Sequence, residues 1–178
     1  FIEVGLSFNQ TNYSLKDVFE PTSNNARQRF SFENVLSPRL GLSYKVSSNQ
    51  NIFAAISKGF SIPSVAETLT PDGEINTDLE PESGWNYEIG YKASLFQNKL
   101  STEVTLYSTQ IRNLLVARRI AEDQFVGINA GESSHKGIEL FVKYRANIGK
   151  YLEVAPYVSG SFNHFRFKDF VDDGSDYS

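Results

Sequence analysis

The sequence predicts an all-β fold, an antiparallel up-and-down meander of about seven long strands that reads as an open portion of a transmembrane β-barrel. Three observations carry this. Apolar and polar residues alternate with a period of two along the whole chain. The alternating runs reach the ~9–11 residues that a tilted strand needs to cross a bilayer, against ~5–6 for ordinary soluble strands. Short and long connections also take turns along the chain, as the two ends of an up-and-down barrel require. A soluble sandwich shares the alternation and would sort its charges in the same way, so strand length, connection pattern and the aromatic residues near strand ends separate the two.

The first strand sets Ile2, Val4, Leu6 and Phe8 against Glu3, Gly5, Ser7 and Asn9. The second sets Leu36, Leu40, Leu42, Tyr44 and Val46 against Ser37, Arg39, Gly41, Ser43 and Lys45. Asn51 to Phe60 is strand-like but ambiguous, because Ile52 and Ile56 compete with Phe53 for the apolar side. Trp85, Tyr87, Ile89, Tyr91, Ala93 and Leu95 then oppose Asn86, Glu88, Gly90, Lys92 and Ser94. Leu100, Val104 and Leu106 oppose Ser101, Glu103 and Thr105, and Ile138, Leu140, Val142 and Tyr144 oppose Gly137, Glu139, Lys143 and Arg145. A final run sets Leu152, Val154, Pro156 and Val158 against Glu153 and Ser159. Short turns are expected at Ser47 to Gln50, Gln97 to Lys99 and Asn147 to Lys150, each rich in turn-forming residues. Long connections are expected at Lys16 to Asn34 and Ser61 to Ser83, with a tip near Ala121 to Gln124 on two unusually long strands.

The charges within these runs avoid the apolar register. Arg39, Glu88, Lys92, Glu139 and Lys143 are expected on the polar face, the wall of a water-lined lumen. A Lys or Arg facing lipid at the midplane would cost ~2–4 kcal/mol. Lys58 departs from the rule if Ile52 and Ile56 face outward, at a strand end where that cost falls. Aromatic residues collect near strand ends on the apolar face. Trp85 and Tyr87 are expected at the outer membrane interface, and Tyr44 and Tyr144 at the periplasmic one.

No stretch approaches the ~18 apolar residues of a transmembrane helix. A net charge of −4 argues against nucleic acid as a partner, and the absence of cysteine excludes disulfides and thiolate metal sites. Phe1 opens the chain inside a strand, without an initiator Met or a signal peptide, so an excerpt of a longer protein is expected.

Several segments, in order, resemble one family. Asn51-Ile-Phe-Ala-Ala-Ile-Ser-Lys-Gly-Phe-Ser-Ile-Pro-Ser64 is a strand running into a loop at a Gly-Phe-x-x-Pro element. Asn76 and Leu79-Glu-Pro-Glu82 lead into Asn86-Tyr-Glu-Ile-Gly-Tyr-Lys92, and Ile111 with Asn113-Leu-Leu-Val116 precedes Asn129-Ala-Gly131 and His135-Lys-Gly-Ile-Glu-Leu140. Together, over roughly Leu36 to Tyr144, these resemble the barrel of TonB-dependent outer-membrane receptors, siderophore receptors especially.

That resemblance implies a barrel of about 22 strands plugged by an N-terminal domain. It implies a ferric siderophore or other chelate as cargo, the lipid of the bacterial outer membrane around the wall, and energy from the TonB complex reached through the plug. Residues 1–178 are then part of the barrel domain, with the plug and the remaining strands outside this sequence. Cobalamin, another metal chelate or an oligosaccharide would suit the same family. The motif residues read first as architecture: Gly59 and Gly90 relieve crowding or let a strand bend, and Pro63 and Pro81 end ladder pairing. Glu88, Lys92, Glu139 and Lys143 would pair with one another or with a plug.

Arg118 and Arg119, near the outer tip, read first as a solvated hairpin tip, with contact to the carboxylates of an anionic ferric chelate as the second reading. The acidic run Asp72, Glu74, Asp78, Glu80 and Glu82 reads as solvated surface rather than a cation site. His135 and His164 fit no metal spacing, so no metal and no cofactor is expected. Ser161, Asn163 and His164 have the residue types of a hydrolase but alternate across a strand, and no nucleophile elbow occurs, so no enzyme is expected. The rival readings are a small complete outer-membrane barrel of structural or adhesion type and a soluble carbohydrate-binding β-sandwich.

Overall fold

The computed structural model describes residues 1–16, 18, 27–71, 73–168, 171–172 and 175–176. Part of the Lys16 to Asn34 connection, Asp72 of the acidic run, and the terminal Tyr177 and Ser178 lie outside the described residues. In chain order the elements are β1 (Ile2–Asn9), β2 (Asn12–Leu15), β3 (Gln28–Ser31), β4 (Val35–Ser47), β5 (Gln50–Ser61), α1 (Val65–Thr68), β6 (Glu82–Leu95) and β7 (Leu100–Arg112). There follow β8 (Leu115–Ala121), β9 (Gln124–Asn129), β10 (Glu132–Tyr144), β11 (Ala146–Ile148), β12 (Leu152–Val154), β13 (Tyr157–Lys168), β14 (Val171–Asp172) and β15 (Ser175–Asp176).

Seven strands make one antiparallel sheet in the order β1-β4-β5-β6-β7-β10-β13, each wall strand beside its predecessor. The remaining strands are two-stranded ribbons, three of them in the connections between wall strands and the fourth, β14–β15, after β13. β1 and β13 are the sheet's two edges and do not pair with each other, so the described residues form an open wall. Pairing puts one register on each side. Ile2, Leu42, Ala54, Ile89, Leu106, Ile138 and Phe162 follow one another across the sheet in a single apolar row.

Among the described residues no second layer covers this face: Ile89 is 53% exposed and Leu140, in the next row, 39%. A sandwich would bury both beneath a facing sheet. The contiguous uncovered apolar face far exceeds what a soluble monomer normally shows.

Register also resolves the ambiguous segment. Ile52, Ala54 and Ile56 stand opposite Tyr91, Ile89 and Tyr87 on the apolar side, so Phe53 faces the polar side, opposite Gly90. A Cβ at Gly90 would fall 2.2 Å from Phe53 Cζ. The ring lies across the glycine, a gap that no other residue would leave. Gly137 plays the same part for Tyr107, whose hydroxyl reaches over it to donate to Asn163 Oδ1 at 2.7 Å. Around Gly59, by contrast, nothing lies within 4 Å of the missing Cβ, so crowding does not explain that residue.

Two expected strands are shorter than the alternation suggests. The long pair through Ala121 to Gln124 breaks where Asn113 (φ 55°) and Gly131 (φ 79°) enter the left-handed region. Beyond the break β8 and β9 form a separate ribbon. The last run also divides. β11 pairs with β12, the chain passes Ala155-Pro156 without strand structure, and the wall strand begins at Tyr157. Pro156 lacks the N–H a ladder needs, and alternation on either side of it conceals the interruption.

At the long-connection end the loops build a lobe with its own interior. Phe32, Val35, Ile75, Leu79 and Ala130 are buried there, with Thr68 and Pro63 fully so. Ser64 caps α1: its hydroxyl accepts from Glu67 N, and the Glu67 carboxylate accepts from Ser64 N at 2.7 Å. This Ser-x-x-Glu capping box is plain in the sequence and marks a helical turn that a strand-only reading passes over.

Candidate functional site

The polar face of the wall carries an ordered set of charges. Lys92 on β6 stands opposite Glu103 on β7, and their charged groups meet at 3.0 Å. Lys92 Nζ also lies 5.0 Å from the centre of the Phe53 ring. Arg39 pairs with Glu3 across β4 and β1 at 3.8 Å. Glu88 accepts a hydrogen bond from Asn86 Nδ2 at 2.6 Å, and Asn86 Oδ1 accepts from Thr109 at 2.7 Å. Glu139 and Lys143 lie on this face and form no ion pair among the described residues. Lys92 thus pairs with Glu103, which the alternation also places on the polar face, rather than with Glu88 or Glu139.

Between these side chains run open troughs. One of about 320 Å³ is walled by Phe53, Glu88, Lys92, Glu103, Tyr107 and Glu139. A wider one of about 610 Å³ lies nearer the short turns, with Ser43, Asn51, Lys92, Glu103 and Phe141 on its sides. Phe141 faces the polar side, opposite Glu103, and its ring lies 6.3 Å from that of Tyr157. The polar face is therefore wettable but set with aromatic rings. Alternation hides these residues, because an apolar residue in a polar register looks like noise; a paired glycine is the sequence signal for Phe53 and Tyr107, and Phe141 has none.

On the opposite, apolar face Tyr44 and Tyr144 sit toward the short turns, and Trp85 and Tyr87 toward the long connections, with rings stacked at 6.5 Å. Lys58 is opposite Trp85 on this face, near the outer end of β5.

The motif residues converge at the long-connection end. Asn129 Nδ2 donates to the carbonyls of Glu80 (3.0 Å) and Asn113 (2.8 Å), while its Oδ1 accepts from Glu80 N at 2.8 Å. Asn113 Nδ2 donates to Glu80 Oε2 at 2.6 Å, and Glu82 Oε2 accepts from Leu115 N at 3.1 Å. Asn76 Nδ2 donates to Gly127 O at 2.9 Å. The β8–β9 ribbon thereby seats on α1 so closely that a Cβ at Gly127 would stand 2.5 Å from Glu67 O. The first connection joins the same lobe, with Tyr13 Oη donating to Pro63 O at 2.7 Å and Gln28 bridging Gly73 and Ile75. Glu80 and Glu82 are structural acceptors here rather than merely solvated carboxylates.

Arg118 and Arg119 lie on β8, opposite Val126 and Phe125. As strand neighbours they point to opposite faces of the ribbon. Arg118 is half-buried, and Arg119 is exposed with its Nε donating to Ala121 O at 3.1 Å. The structure does not combine them into one cationic fork. The two histidines also part company: His135 stacks on Phe165 at 4.4 Å on the polar side, whereas His164 is on the apolar register opposite Lys136. Among the described residues no cluster of His, Asp or Glu is arranged to hold a metal ion.

A family model described as TonB dependent receptor-like, beta-barrel matches residues 2–178. A curated relative, the ferric-pyoverdine 358 receptor of Pseudomonas putida, is 26% identical over 83 residues, which is 45% of this chain and 9% of that protein. The crystal structure of the siderophore receptor PiuA from Acinetobacter baumannii matches with a TM-score of 0.67 at 18% identity, over 98% of this chain and 24% of that one. The copper transporter OprC matches with a TM-score of 0.66 at 13% identity, over 94% and 27%. These structural likenesses speak for the fold, and the chain spans about a quarter of the length of the two solved structures. The relatives are receptors and transporters, not enzymes. On the family match and the fold together, the chain belongs to the TonB-dependent receptor-like β-barrel family, whose members are β-barrels of the bacterial outer membrane.

Proposed function

We propose that this chain is the wall and part of the extracellular loop lobe of a receptor that imports ferric siderophores, driven by TonB through segments outside residues 1–178. One observation carries the reading. The same strands present an uncovered apolar register on one side and a register of paired charges, hydroxyls and troughs on the other, with a folded lobe at one rim. Such a wall separates lipid from a water-filled passage, and the lobe is where cargo arrives. Transport needs no bond-making on the cargo. The choice of a ferric chelate rests on the likeness to the ferric-pyoverdine and siderophore receptors, since the copper transporter OprC has the same fold.

In this reading one arginine of the tip pair meets the anionic cargo. Because Arg118 and Arg119 face opposite ways, Arg118→Ala and Arg119→Ala made separately should differ, one weakening chelate binding and the other leaving it unchanged. The decisive experiment is uptake of radiolabelled iron from defined chelates by cells carrying or lacking the full gene, with and without the inner-membrane energising complex. Uptake that depends on both gene and complex is expected. Gene-dependent uptake that survives loss of the complex would remove TonB from the reading. Gene-dependent import of another solute, with ferric chelates ignored, would remove the cargo.

A further inference from the structure

The outward face of the wall changes character along its circumference. On β1 and β4 it stays apolar to the strand ends, where Phe8 stands opposite Leu36. On β10 and β13 apolar pairing ends at Ile138 and Phe162. The next rows place Lys136 opposite His164, Ser134 opposite Arg166, and Glu132 opposite both Lys168 and Arg112. No register shift interrupts these pairings, so all of these side chains share the face of Leu140 and Val142. Lys136, Arg166 and Lys168 are exposed. Glu132 is engaged by Arg112 at 3.2 Å, and among the described residues no carboxylate pairs with the other three cations.

Height along the strand says what they meet. Ser134, in the row of Arg166, is ten residues from Tyr144. At ~3.4 Å per residue and a tilt of ~40° that is about 25 Å, the height of a barrel's apolar band. Lys136 lies just inside that limit, within reach of the interface through its flexible stem. The cluster therefore begins where hydrocarbon gives way to headgroups. Within the wall it is local: the outward ends of β5 and β6 carry Lys58 beside Trp85, and β1 and β4 carry no charge there.

We propose that Lys136, Arg166 and Lys168, with Arg112 at their edge, form a binding site on the outside of the barrel for the phosphate groups of outer-leaflet lipid. Guanidinium and ammonium groups hold phosphate by charge-assisted hydrogen bonds, while Ile138, Leu140 and Phe162 beneath them offer a surface for the acyl chains. This site is separate from the lumen and from cargo binding, and it stands whether or not the cargo is a ferric chelate.

The test uses the full-length receptor, with lipid retention read by native mass spectrometry against three probes: bis-phosphorylated lipid A, dephosphorylated lipid A and inorganic phosphate. The variant Lys136→Gln, Arg166→Gln, Lys168→Gln should retain phosphorylated lipid A about tenfold less well than the native receptor. Lys136→Arg, Arg166→Lys, Lys168→Arg should retain it normally, as should Lys99→Gln, Lys150→Gln at the short turns. If the neutral triple variant does not assemble, Arg166→Gln alone decides, with a loss of about threefold expected. Equal retention by native and neutral receptors would overturn the site. Equal binding of the dephosphorylated lipid would reduce it to apolar contact. Full displacement of the lipid by inorganic phosphate would assign it to a free anion instead.

Discussion

Ile89 stands 53% exposed in the middle of the wall, while Leu79, one connection earlier, is 3% exposed inside the loop lobe. Both are aliphatic residues of ordinary size, so the contrast lies in what each region uses as its apolar phase. The lobe folds as a soluble domain does, around Phe32, Pro63, Thr68, Ile75 and Leu79, and closes its polar groups on one another through Asn76, Glu80, Asn113 and Asn129. The wall has almost no interior; its order comes from main-chain ladders, and its apolar side chains await the membrane. A connection in a barrel protein can thus be the better-packed part of the chain.

The sharpest way to break this contrast is to truncate one residue on each side of it. Leu79→Ala should cost the lobe about 2–5 kcal/mol, the usual range for emptying a buried leucine site. Limited proteolysis of the lipid-reconstituted receptor should then cut between Ser61 and Glu82 while the barrel keeps its heat-modifiable migration on a gel. Ile89→Ala leaves no protein cavity, because lipid fills the space, and should leave both readouts nearly unchanged. Ile89→Arg should instead impair barrel assembly by about 2–4 kcal/mol. If Ile89→Ala proved costlier than Leu79→Ala, the apolar face would be packed against protein and the barrel reading would fail.

The two regions also differed in how well the sequence announced them. Wall strands were legible because lipid on one side and water on the other impose a period of two on every residue. Hence Trp85 to Leu95 and Ile138 to Tyr144 fell on the expected face. Where that rule loosens, reading fails. Phe53, Tyr107 and Phe141 are aromatic residues in a polar register, and only the neighbouring Gly90 and Gly137 account for the first two. Asn113 and Gly131 end strands through backbone conformation, which leaves alternation intact on both sides. The lobe was visible as motif residues but not as an assembly, because its bonds join positions some 50 apart, such as Asn76 with Gly127 and Glu80 with Asn129. Periodicity reports local exposure and says nothing of such pairings.

Those long-range bonds supply the second test. Asn129→Ala removes two donated bonds and one accepted bond at the neck where the β8–β9 ribbon leaves the wall. The Asn113 carbonyl is partly buried while the Glu80 groups are exposed enough to turn to water, so the three lost bonds together should cost about 1–3 kcal/mol. Faster amide exchange is expected at Glu80 and through β8 and β9, with the wall below Arg112 protected as before. Uniform exchange across wall and lobe would mean that the two open together, and the neck is then no boundary.

The smallest effect belongs to the wall's polar face. Lys92 makes an ion pair with Glu103 at 3.0 Å and a cation–π contact with Phe53 at 5.0 Å, and both charged side chains remain substantially exposed. An exposed pair contributes ~0.2–1 kcal/mol and a cation–π contact at such a site ~0.5–1 kcal/mol. Lys92→Gln should therefore shift barrel stability by about 1 kcal/mol, and by no more than about 2 kcal/mol. A double-mutant cycle with Phe53→Leu, read by urea unfolding in lipid, should return a coupling of about 0.5 kcal/mol that survives added salt better than the cycle with Glu103→Gln. The ring stays over Gly90 whatever the charge does, since the glycine gap holds it by shape. A coupling of zero would make Phe53 a filler of that gap alone. A coupling of several kcal/mol would mean that Lys92 sits in a dry environment, and the polar face would then be covered by protein rather than wetted.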